Sequence, residues 1–303
     1  MAFEIKEMTV NSTDNIHTLV GKIYIPDGEI KGLFQIVHGM TEHIGRYDEF
    51  MSFLAENGYI AFGYDHLGHG KTAKDSSEFG FFAHNNGWKY LVNDVSKFAD
   101  AVKTIYPSMP LTLMGHSMGS FIARLAAENS TETFNKLIIC GSGYGNPLAY
   151  FGLGLTKLIG KIKGEKYVSE LVYSLTFGSY NKRFEGDSGN RWLSSQKVSV
   201  NKYETDPYCS FKFTVSAMHD LIMLNKESNS KKWFKHIAKA MPILLISGTE
   251  DPVGDYGNGI KKILGKLKDE NANVEMKLYE GCRHEILGDR LKDEVYDDIL
   301  NFA

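Results

Sequence analysis

The chain has 303 residues, of which 43% are hydrophobic and 23% are charged, so it can bury a sizeable core in one large domain or two modest ones. Its formal net charge is −3 and no basic run exceeds two residues, which excludes a nucleic-acid-binding protein of the usual basic type. Three scattered cysteines favour the reducing cytoplasm over a disulfide scaffold. No apolar run approaches the roughly 18 residues of a transmembrane helix, and the first residues lack the apolar core of a signal peptide.

Strand and helix patterns alternate along most of the chain, which is typical of a largely parallel sheet covered on both faces. The predicted strands are 3–10 and 16–25, which form an antiparallel hairpin, then 33–37, 59–64, 111–114, 136–140, 242–247 and 274–279. Helices are predicted at about 46–57, 88–105, directly after residue 117, and at 230–239, 257–270 and 289–302.

The alternation breaks between residues 143 and 219, where amphipathic helical segments and many aromatic residues occur without a convincing strand. An all-helical insert in an α/β core has the topology of a cap. We therefore predict an α/β fold with a mostly parallel, eight-stranded sheet flanked by helices and a helical cap after the sixth strand. The core comprises residues 1–142 and 221–303, and the cap comprises residues 143–220.

A Gly-X-Ser-X-Gly motif, Gly115-His-Ser-Met-Gly119, lies between a strand pattern and a helix pattern. This is the layout of a nucleophile elbow, in which a sharp turn exposes the serine hydroxyl. Side chains at positions 115 and 119 would collide with the neighbouring strand and helix in so tight a turn. By itself, the motif also fits a glycine-rich turn with an incidental serine.

A nucleophilic Ser117 needs a base and an orienting acid, and both should follow strands because sites in parallel sheets form at the carboxyl ends of strands. Asp251 follows the predicted strand 242–247, with Glu250 as an adjacent alternative, and His284 follows 274–279. The order serine, aspartate, histidine is that of α/β-hydrolases.

The chain resembles the monoacylglycerol lipase and lysophospholipase branch of the α/β-hydrolases. The motifs that carry the resemblance, besides the elbow, are His38-Gly-Met-Thr-Glu-His43, Asp65-His-Leu-Gly-His-Gly70, Asp206-Pro-Tyr-Cys209, Gly248-Thr-Glu-Asp-Pro-Val-Gly254 and Arg283-His-Glu-Ile286.

The resemblance implies that Ser117 is the nucleophile, that His284 is the general base and then acid, and that Asp251 holds the imidazole tautomer. It further implies that the backbone N–H groups of Met40 and Met118 form the oxyanion hole. The resemblance also places Gly39 near the substrate. It places Glu42 and Arg46 beside the polar head group of the substrate.

We predict no metal and no cofactor. His38, His43, His66 and His69 lie near Asp65 in sequence, but the His-X-His-X-Asp-His arrangement of dinuclear zinc hydrolases is absent. His38 and His116 are expected to brace loops by hydrogen bonds.

The predicted activity is hydrolysis of a carboxylic ester of a single-chain lipid, a monoacylglycerol or lysophospholipid, through an acyl-enzyme. The apolar cap residues between Tyr150 and Ile159 either wall an acyl tunnel or pack the cap onto the core. Three nearby lysines, Lys157, Lys161 and Lys163, make transient contact with a membrane or micelle a third option.

Two other functions stay open. One is a small-ester esterase or an aminopeptidase-type hydrolase of the same fold, and a cluster of cap acids aimed at an α-amine would favour the latter. The candidate acids are Glu165, Glu170, Glu185 and Asp187. The other is a catalytically silent ligand-binding protein. The acyl-chain length, the head group and the oligomeric state are not determined by the sequence.

Overall fold

The computed structural model of the chain describes residues 2–145, 147–237 and 241–303. Its strands are β1 (Phe3–Asn11), β2 (Thr18–Pro26), β3 (Gly32–Val37), β4 (Tyr59–Tyr64), β5 (Leu111–His116), β6 (Lys136–Cys140), β7 (Ile243–Gly248) and β8 (Val274–Tyr279). They form one sheet in the order β1-β2-β4-β3-β5-β6-β7-β8. β2 is antiparallel to β1 and β4, and all other neighbours are parallel. The predicted mostly parallel, eight-stranded sheet is confirmed.

Helices cover both faces of this sheet. Within the described residues they are α1 (Asp48–Glu56), α2 (Gly87–Ile105), α3 (Met118–Asn129), α4 (Ala149–Lys163), α5 (Glu170–Phe177), α6 (Lys197–Thr205), α7 (Val215–Ser228), α8 (Lys231–His236), α9 (Asn258–Asp269) and α10 (Lys292–Phe302), with short 3₁₀ helices at Ile44–Tyr47, Ser76–Glu78 and Ile286–Gly288. Apolar side chains of α2, α3, α8 and α9 build the core on one face, and those of α1 and α10 build it on the other.

The central strands are buried along their whole length. Every residue of β3, β5 and β7 is buried. In β5, Leu113 packs into the core on one face of the sheet and Met114 into the core on the other. Since neither face meets water, these strands need apolar residues on both sides, which explains why they read as continuous apolar runs.

Several helix boundaries differ from the sequence prediction. The helix expected at 46–57 begins as the 3₁₀ turn Ile44–Tyr47 and ends at Glu56, just before Gly58 with its positive φ of 91°. The helix expected at 230–239 ends at His236, and positions 238 and 239 lie outside the described residues. The helix expected at 289–302 begins only at Lys292, because Asp289 lies in extended backbone after the 3₁₀ turn.

The segment between β6 and β7, which we call the insert, contains α4 to α8 and no strand among its described residues. α7 packs against α4 and also against α2 and α3 of the layer on the sheet. The predicted boundary between residues 220 and 221 therefore lies inside a helix, and the division into core and cap stays a prediction. In the described part of the chain, no helix is both long and apolar enough to cross a lipid bilayer.

Candidate active site

Ser117 lies on the sharp turn between β5 and α3. Its backbone has φ 54° and ψ −121°, a conformation that residues with a side chain rarely adopt and that is typical of functional turns. The two flanking glycines permit the turn. A Cβ atom at Gly115 would lie 2.2 Å from the carbonyl oxygen of Gly119, and a Cβ at Gly119 would lie 2.1 Å from that of Val37. The predicted steric reason for both glycines is therefore present in the structure.

Asp251 and His284 come from separate loops and meet. Nδ1 of His284 lies 3.0 Å from Oδ1 of Asp251, which also accepts the backbone N–H of Val253 at 2.9 Å. Ser247 donates its hydroxyl to the other carboxylate oxygen of Asp251 at 3.2 Å. Burial alone would raise the pKa of Asp251, but the charge and the hydrogen bond of His284 outweigh it and lower this pKa. The carboxylate thus stays ionised, and an ionised acceptor at Oδ1 favours a proton on the facing Nδ1 of His284.

The neighbouring Glu250 does not take this place, because in the described structure its carboxylate makes no hydrogen bond to His284. Ser117 and His284 line the same cavity. Their side chains share no hydrogen bond in this structure, and such bonds are often long before substrate is bound. The structure thus gathers the three residues that the sequence predicted, but the hydroxyl of Ser117 makes no hydrogen bond to His284.

The loop after β3 is held by hydrogen bonds on both sides of Met40. The N–H of Gly39 donates to Oε1 of Glu42 at 2.5 Å, and the N–H of Thr41 donates to Nε2 of His69 at 3.2 Å. Among the described residues, the N–H groups of Met40 and Met118 have no hydrogen-bond partner. Both methionines line the cavity. Two unpaired N–H groups on residues that line this cavity beside Ser117 are available to a ligand.

Glu42 and Arg46 are used in a buried ion-pair network. The guanidinium of Arg46 contacts Glu42 at 2.7 Å and forms a two-pronged pair with Glu285 at 2.7 and 2.8 Å. Glu42 also accepts the hydroxyl of Tyr47 at 2.8 Å and faces Nδ1 of His116 at 3.2 Å. Arg46 does not line the cavity, whereas Glu42 does. Sequence reasoning expected both beside the substrate, and the structure gives the arginine two protein partners instead.

This network also raises the pKa of His116, the residue before Ser117. Burial would raise the pKa of Glu42, but the hydrogen bond from His116 and the charge of Arg46 hold it well below its usual value. Burial would lower the pKa of His116, yet its hydrogen bond to Glu42 raises that pKa. Nε2 of His116 faces the carbonyl oxygen of His284 at 3.3 Å, so the network reaches the loop that carries the base.

His38, His66 and His69 form a buried cluster with ring centroids 4.1 to 6.1 Å apart. Burial lowers the pKa of His66 to about 3 and that of His69 to about 4, and it lowers the pKa of His38 as well. These rings are therefore neutral. Nδ1 of His38 donates to the carbonyl of Gly39 at 2.8 Å, and His69 accepts the Thr41 N–H, so the cluster braces the loop around Met40.

The cavity at Ser117 has a volume of about 650 Å³ and a largely apolar wall from the insert. Of the apolar residues expected there, Phe151 and Leu155 line it, and Phe151 is at the same time exposed to solvent, as Tyr150 and Leu158 are. The insert acids Glu165, Glu170, Glu185 and Asp187 do not line it. The carboxylates that do are Glu42 and Glu285, and both are paired with Arg46.

A further contact of the base was missed by sequence reasoning. The N–H of Glu285 donates to the carbonyl of Leu193 at 2.7 Å, and that of His284 faces the carbonyl of Trp192 at 3.4 Å. The indole of Trp192 lies against the His284 ring, with centroids 5.0 Å apart. The available signal was that Trp192 is the one tryptophan between residues 143 and 220. Its position beside the base follows only from how the insert docks.

Comparison with known proteins identifies the family of the chain. The profile of the Hydrolase_4 family, described as serine aminopeptidase, S33, matches residues 28–291. The monoglyceride lipase homolog of monkeypox virus is 28% identical over 89% of this chain and 87% of its own length. Human monoglyceride lipase is also 28% identical, over 86% of this chain and 77% of its own.

A solved structure is similar over the whole length. A thermostable carboxyl esterase from Bacillus coagulans, in complex with glycerol, superposes with a TM-score of 0.93 at 30% identity and covers 100% of this chain and 98% of its own. The names of these relatives agree with the expected carboxylic ester hydrolase. The chain therefore belongs to the Hydrolase_4 family and has the α/β-hydrolase fold, on the monoacylglycerol lipase and lysophospholipase branch that its motifs predicted.

Proposed function

We propose that the chain is a serine hydrolase that cleaves carboxylic esters of single-chain lipids, monoacylglycerols or lysophospholipids, through an acyl-enzyme. The observation that carries the proposal is the convergence of Ser117 and the Asp251-paired His284 on one cavity with an apolar wall. The names of the monoglyceride lipases and of a probable lysophospholipase of Haemophilus influenzae among its relatives support it.

In the proposed reaction, Oγ of Ser117 attacks the ester carbonyl while Nε2 of His284 takes its proton. The C–O bond to the alcohol then breaks, and His284 returns the proton to the leaving oxygen. Water, deprotonated in turn by His284, attacks the acyl carbonyl; the bond from this carbon to Oγ then breaks, His284 gives the proton to Oγ, and the fatty acid leaves. Asp251 stabilises the charged imidazole in both halves, in keeping with the lowered pKa of its carboxyl group.

The oxyanion of each tetrahedral intermediate would accept hydrogen bonds from the backbone N–H groups of Met40 and Met118. Removing one such donor typically costs about 2.7–4 kcal/mol of transition-state stabilisation. The hydrogen bonds of Gly39 to Glu42 and of Thr41 to His69 support this role, because they hold the peptide of Met40 between two fixed neighbours. Glu42 and Gly39 would therefore act on the substrate through the shape of this loop.

The lining of the cavity favours an ester with an apolar chain over a peptide. A volume of about 650 Å³ lies within the usual range of small-molecule sites, and Phe151, Leu155 and Val172 offer an apolar wall. An aminopeptidase would need an unpaired acid near the scissile bond. The two lining carboxylates are already paired with Arg46, so the peptidase alternative has no support in the lining.

We also propose that α4 and α5 contact a membrane or micelle. Their exposed apolar side chains are Phe151, Leu158 and Ile162 on α4 and Leu171 and Leu175 on α5. Lys157, Lys161 and Lys163 lie on α4 beside them, as in helices that rest on anionic lipid surfaces. This contact would bring a single-chain lipid to the insert. A cytoplasmic location is the matching expectation for the chain.

The test compares wild type with Ser117→Ala on p-nitrophenyl esters of increasing chain length, on a monoacylglycerol and on a lysophospholipid. Ser130→Ala, at the far end of α3, is the matched control. We expect wild type and the control to prefer octanoate or longer esters over acetate in kcat/KM, and Ser117→Ala to lose turnover. A fluorophosphonate probe should label Ser117 in the wild type, and its failure would favour a silent ligand-binding protein.

Two results would change the proposal. Ester turnover by Ser117→Ala at the wild-type rate would overturn the mechanism. A preference for acetate over octanoate, with Ser117 still essential, would replace the lipid substrate by a small ester and leave the mechanism in place.

A further inference from the structure

A second cluster of reactive side chains lies outside the cavity, where the loop after β3 meets the turn after α6. It consists of His43, Asp206 and Cys209. One ligand atom from each lies within 4.8 Å of the others, and Nε2 of His43 is 2.9 Å from Oδ2 of Asp206. None of the three lines the cavity at Ser117. The cluster is therefore separate from the proposed reaction.

The turn that carries two of these ligands is ordered by its own hydrogen bonds. Oδ1 of Asp206 accepts the N–H of Tyr208 at 2.8 Å, and the N–H of Cys209 donates to the carbonyl of Asp206 at 3.0 Å. Because Oδ1 is used within the turn, Oδ2 is the atom that faces outward to His43. The carboxylate and the thiol are thus held on one short turn before any ligand arrives.

The ring of His43 is seated against a glycine. A Cβ atom at Gly45 would lie 2.8 Å from Cε1 and 3.0 Å from Nδ1 of His43. The Nδ1 side of the ring therefore packs on Gly45, and Nε2 points to Asp206. Any side chain at position 45 would displace the ring, so a substitution of this glycine alters the geometry of the cluster without removing a ligand.

The surrounding charges favour a cation. Arg46 is the nearby positive group, but it is paired with Glu42 and Glu285, and Asp206 adds a third carboxylate. A metal that binds the Cys209 thiol must release its proton.

We propose that His43, Asp206 and Cys209 bind one Zn²⁺ ion, which ties the loop that carries Met40 to the insert. Nitrogen, carboxylate and thiolate ligands together are typical of zinc, whereas Mg²⁺ and Ca²⁺ prefer oxygen alone. Zinc–ligand distances of about 2.0–2.3 Å place the ligands of a tetrahedral ion about 3.3–3.8 Å apart. Side-chain rotation would widen the 2.9 Å between His43 and Asp206 to that spacing and adjust the other separations, which are all within 4.8 Å.

Water would supply the fourth ligand. The side chains of His43 and Asp206 are 17% and 26% exposed, so solvent reaches the edge of the cluster. The proposal does not depend on ester hydrolysis, because binding is measured without substrate and the ligands lie outside the cavity.

The test titrates the full-length, metal-free protein with Co²⁺ and then with Zn²⁺. We expect the visible bands of tetrahedral Co²⁺, a cobalt–thiolate charge-transfer band, displacement of both by Zn²⁺ at one ion per chain, and a higher thermal midpoint with Zn²⁺. Cys209→Ser should abolish the charge-transfer band. His43→Gln and Asp206→Asn should weaken Zn²⁺ binding by about 10-fold or more.

Two further variants serve as geometric test and control. Gly45→Ala keeps all three ligands but displaces the His43 ring, so it should weaken Zn²⁺ binding without removing the thiolate band. Cys282→Ser removes another buried cysteine and should bind like wild type. Unchanged Zn²⁺ affinity in His43→Gln and Gly45→Ala, a charge-transfer band retained in Cys209→Ser, or no binding by wild type would each overturn the proposal.

Discussion

Nδ1 of His284 lies 3.0 Å from Oδ1 of Asp251, although 33 positions separate the two residues, and solvent reaches almost none of either side chain. The loops after β7 and β8 bring them together, because adjacent parallel strands end at the same edge of the sheet. A buried carboxylate with a lowered pKa beside an imidazole fixes which ring nitrogen carries the proton.

Asp251→Asn should therefore lower kcat for ester hydrolysis by roughly 10⁴-fold, because the amide favours the wrong imidazole tautomer. Steady-state kinetics with a p-nitrophenyl ester measures this loss, and circular dichroism confirms the fold. Glu250→Gln is the matched control at the adjacent position and should stay near the wild-type rate. If Glu250→Gln lost as much activity as Asp251→Asn, the pairing with His284 would have been assigned to the wrong acid.

Ser117 stores backbone strain, since its φ is 54°. Glycine adopts such a φ without steric cost, so Ser117→Gly should be more stable than Ser117→Ala by about 1 kcal/mol. Urea unfolding of both variants gives the difference. At Ser130, where φ is −138°, the same pair should show no advantage for glycine. A lower stability for Ser117→Gly than for Ser117→Ala would contradict stored strain at the elbow.

His66 should make the protein sensitive to acid. Its pKa is about 3 in the folded chain against about 6.5 when unfolded, so the unfolded state binds the additional proton. Stability is then complete above pH 6.5 and is lost as the pH falls toward the folded pKa. Between about pH 6 and 4, wild type should lose about 1.4 kcal/mol per pH unit more than His66→Gln.

Chemical denaturation at several pH values measures this difference in slope. At pH 8 the imidazole is neutral in both states, so the stability difference between the two proteins should not vary with pH there. Equal slopes between pH 6 and 4 would show that His66 is protonated in the folded state.

Arg46 should act on stability and not on the head group of the substrate. Arg46→Met removes the guanidinium that pairs with the buried Glu42 and Glu285, so the free energy of unfolding should fall by about 3–5 kcal/mol at pH 7. Adding Glu285→Gln should recover part of this loss. The ratio of KM values for two esters with the same acyl chain and different alcohols should not change. A head-group-specific rise in KM at wild-type stability would instead support substrate contact.

The exposed leucines of α5 should contribute to binding of lipid surfaces. Leu171 and Leu175 are one helical turn apart, so they share a face. Replacing both with serine should lower the affinity for phosphatidylcholine–phosphatidylserine vesicles by about tenfold or more, as measured by co-sedimentation. The reason is that each leucine that becomes buried in the lipid contributes about 1.5–3 kcal/mol. Val198→Ser on α6 removes an equally exposed apolar residue elsewhere and should bind as wild type does. Equal binding by all three proteins would rule out this face.

Features that depend on neighbours in sequence could be predicted well. The limits of β4, β6 and β8 agree with the predicted strands 59–64, 136–140 and 274–279, and the glycines at 115 and 119 marked the turn at Ser117. Helices α6 and α7 were not recognised individually. α7 contacts α4 on one side and α2 and α3 on the other, so its apolar residues do not form the single stripe that identifies a surface helix.

The sequence by itself determined the fold class, the elbow at Ser117 and the candidates Asp251 and His284, because strand patterns and tight turns follow from local sterics and strand ends share one edge. Only the tertiary structure decided which polar side chains from distant parts of the chain meet around the site. Arg46 pairs with Glu285 across 239 positions, and His43 meets Asp206 across 163. The first contact depends on how the loops after β3 and β8 pack together, and the second on how the insert docks on the sheet; no local pattern encodes such long-range packing.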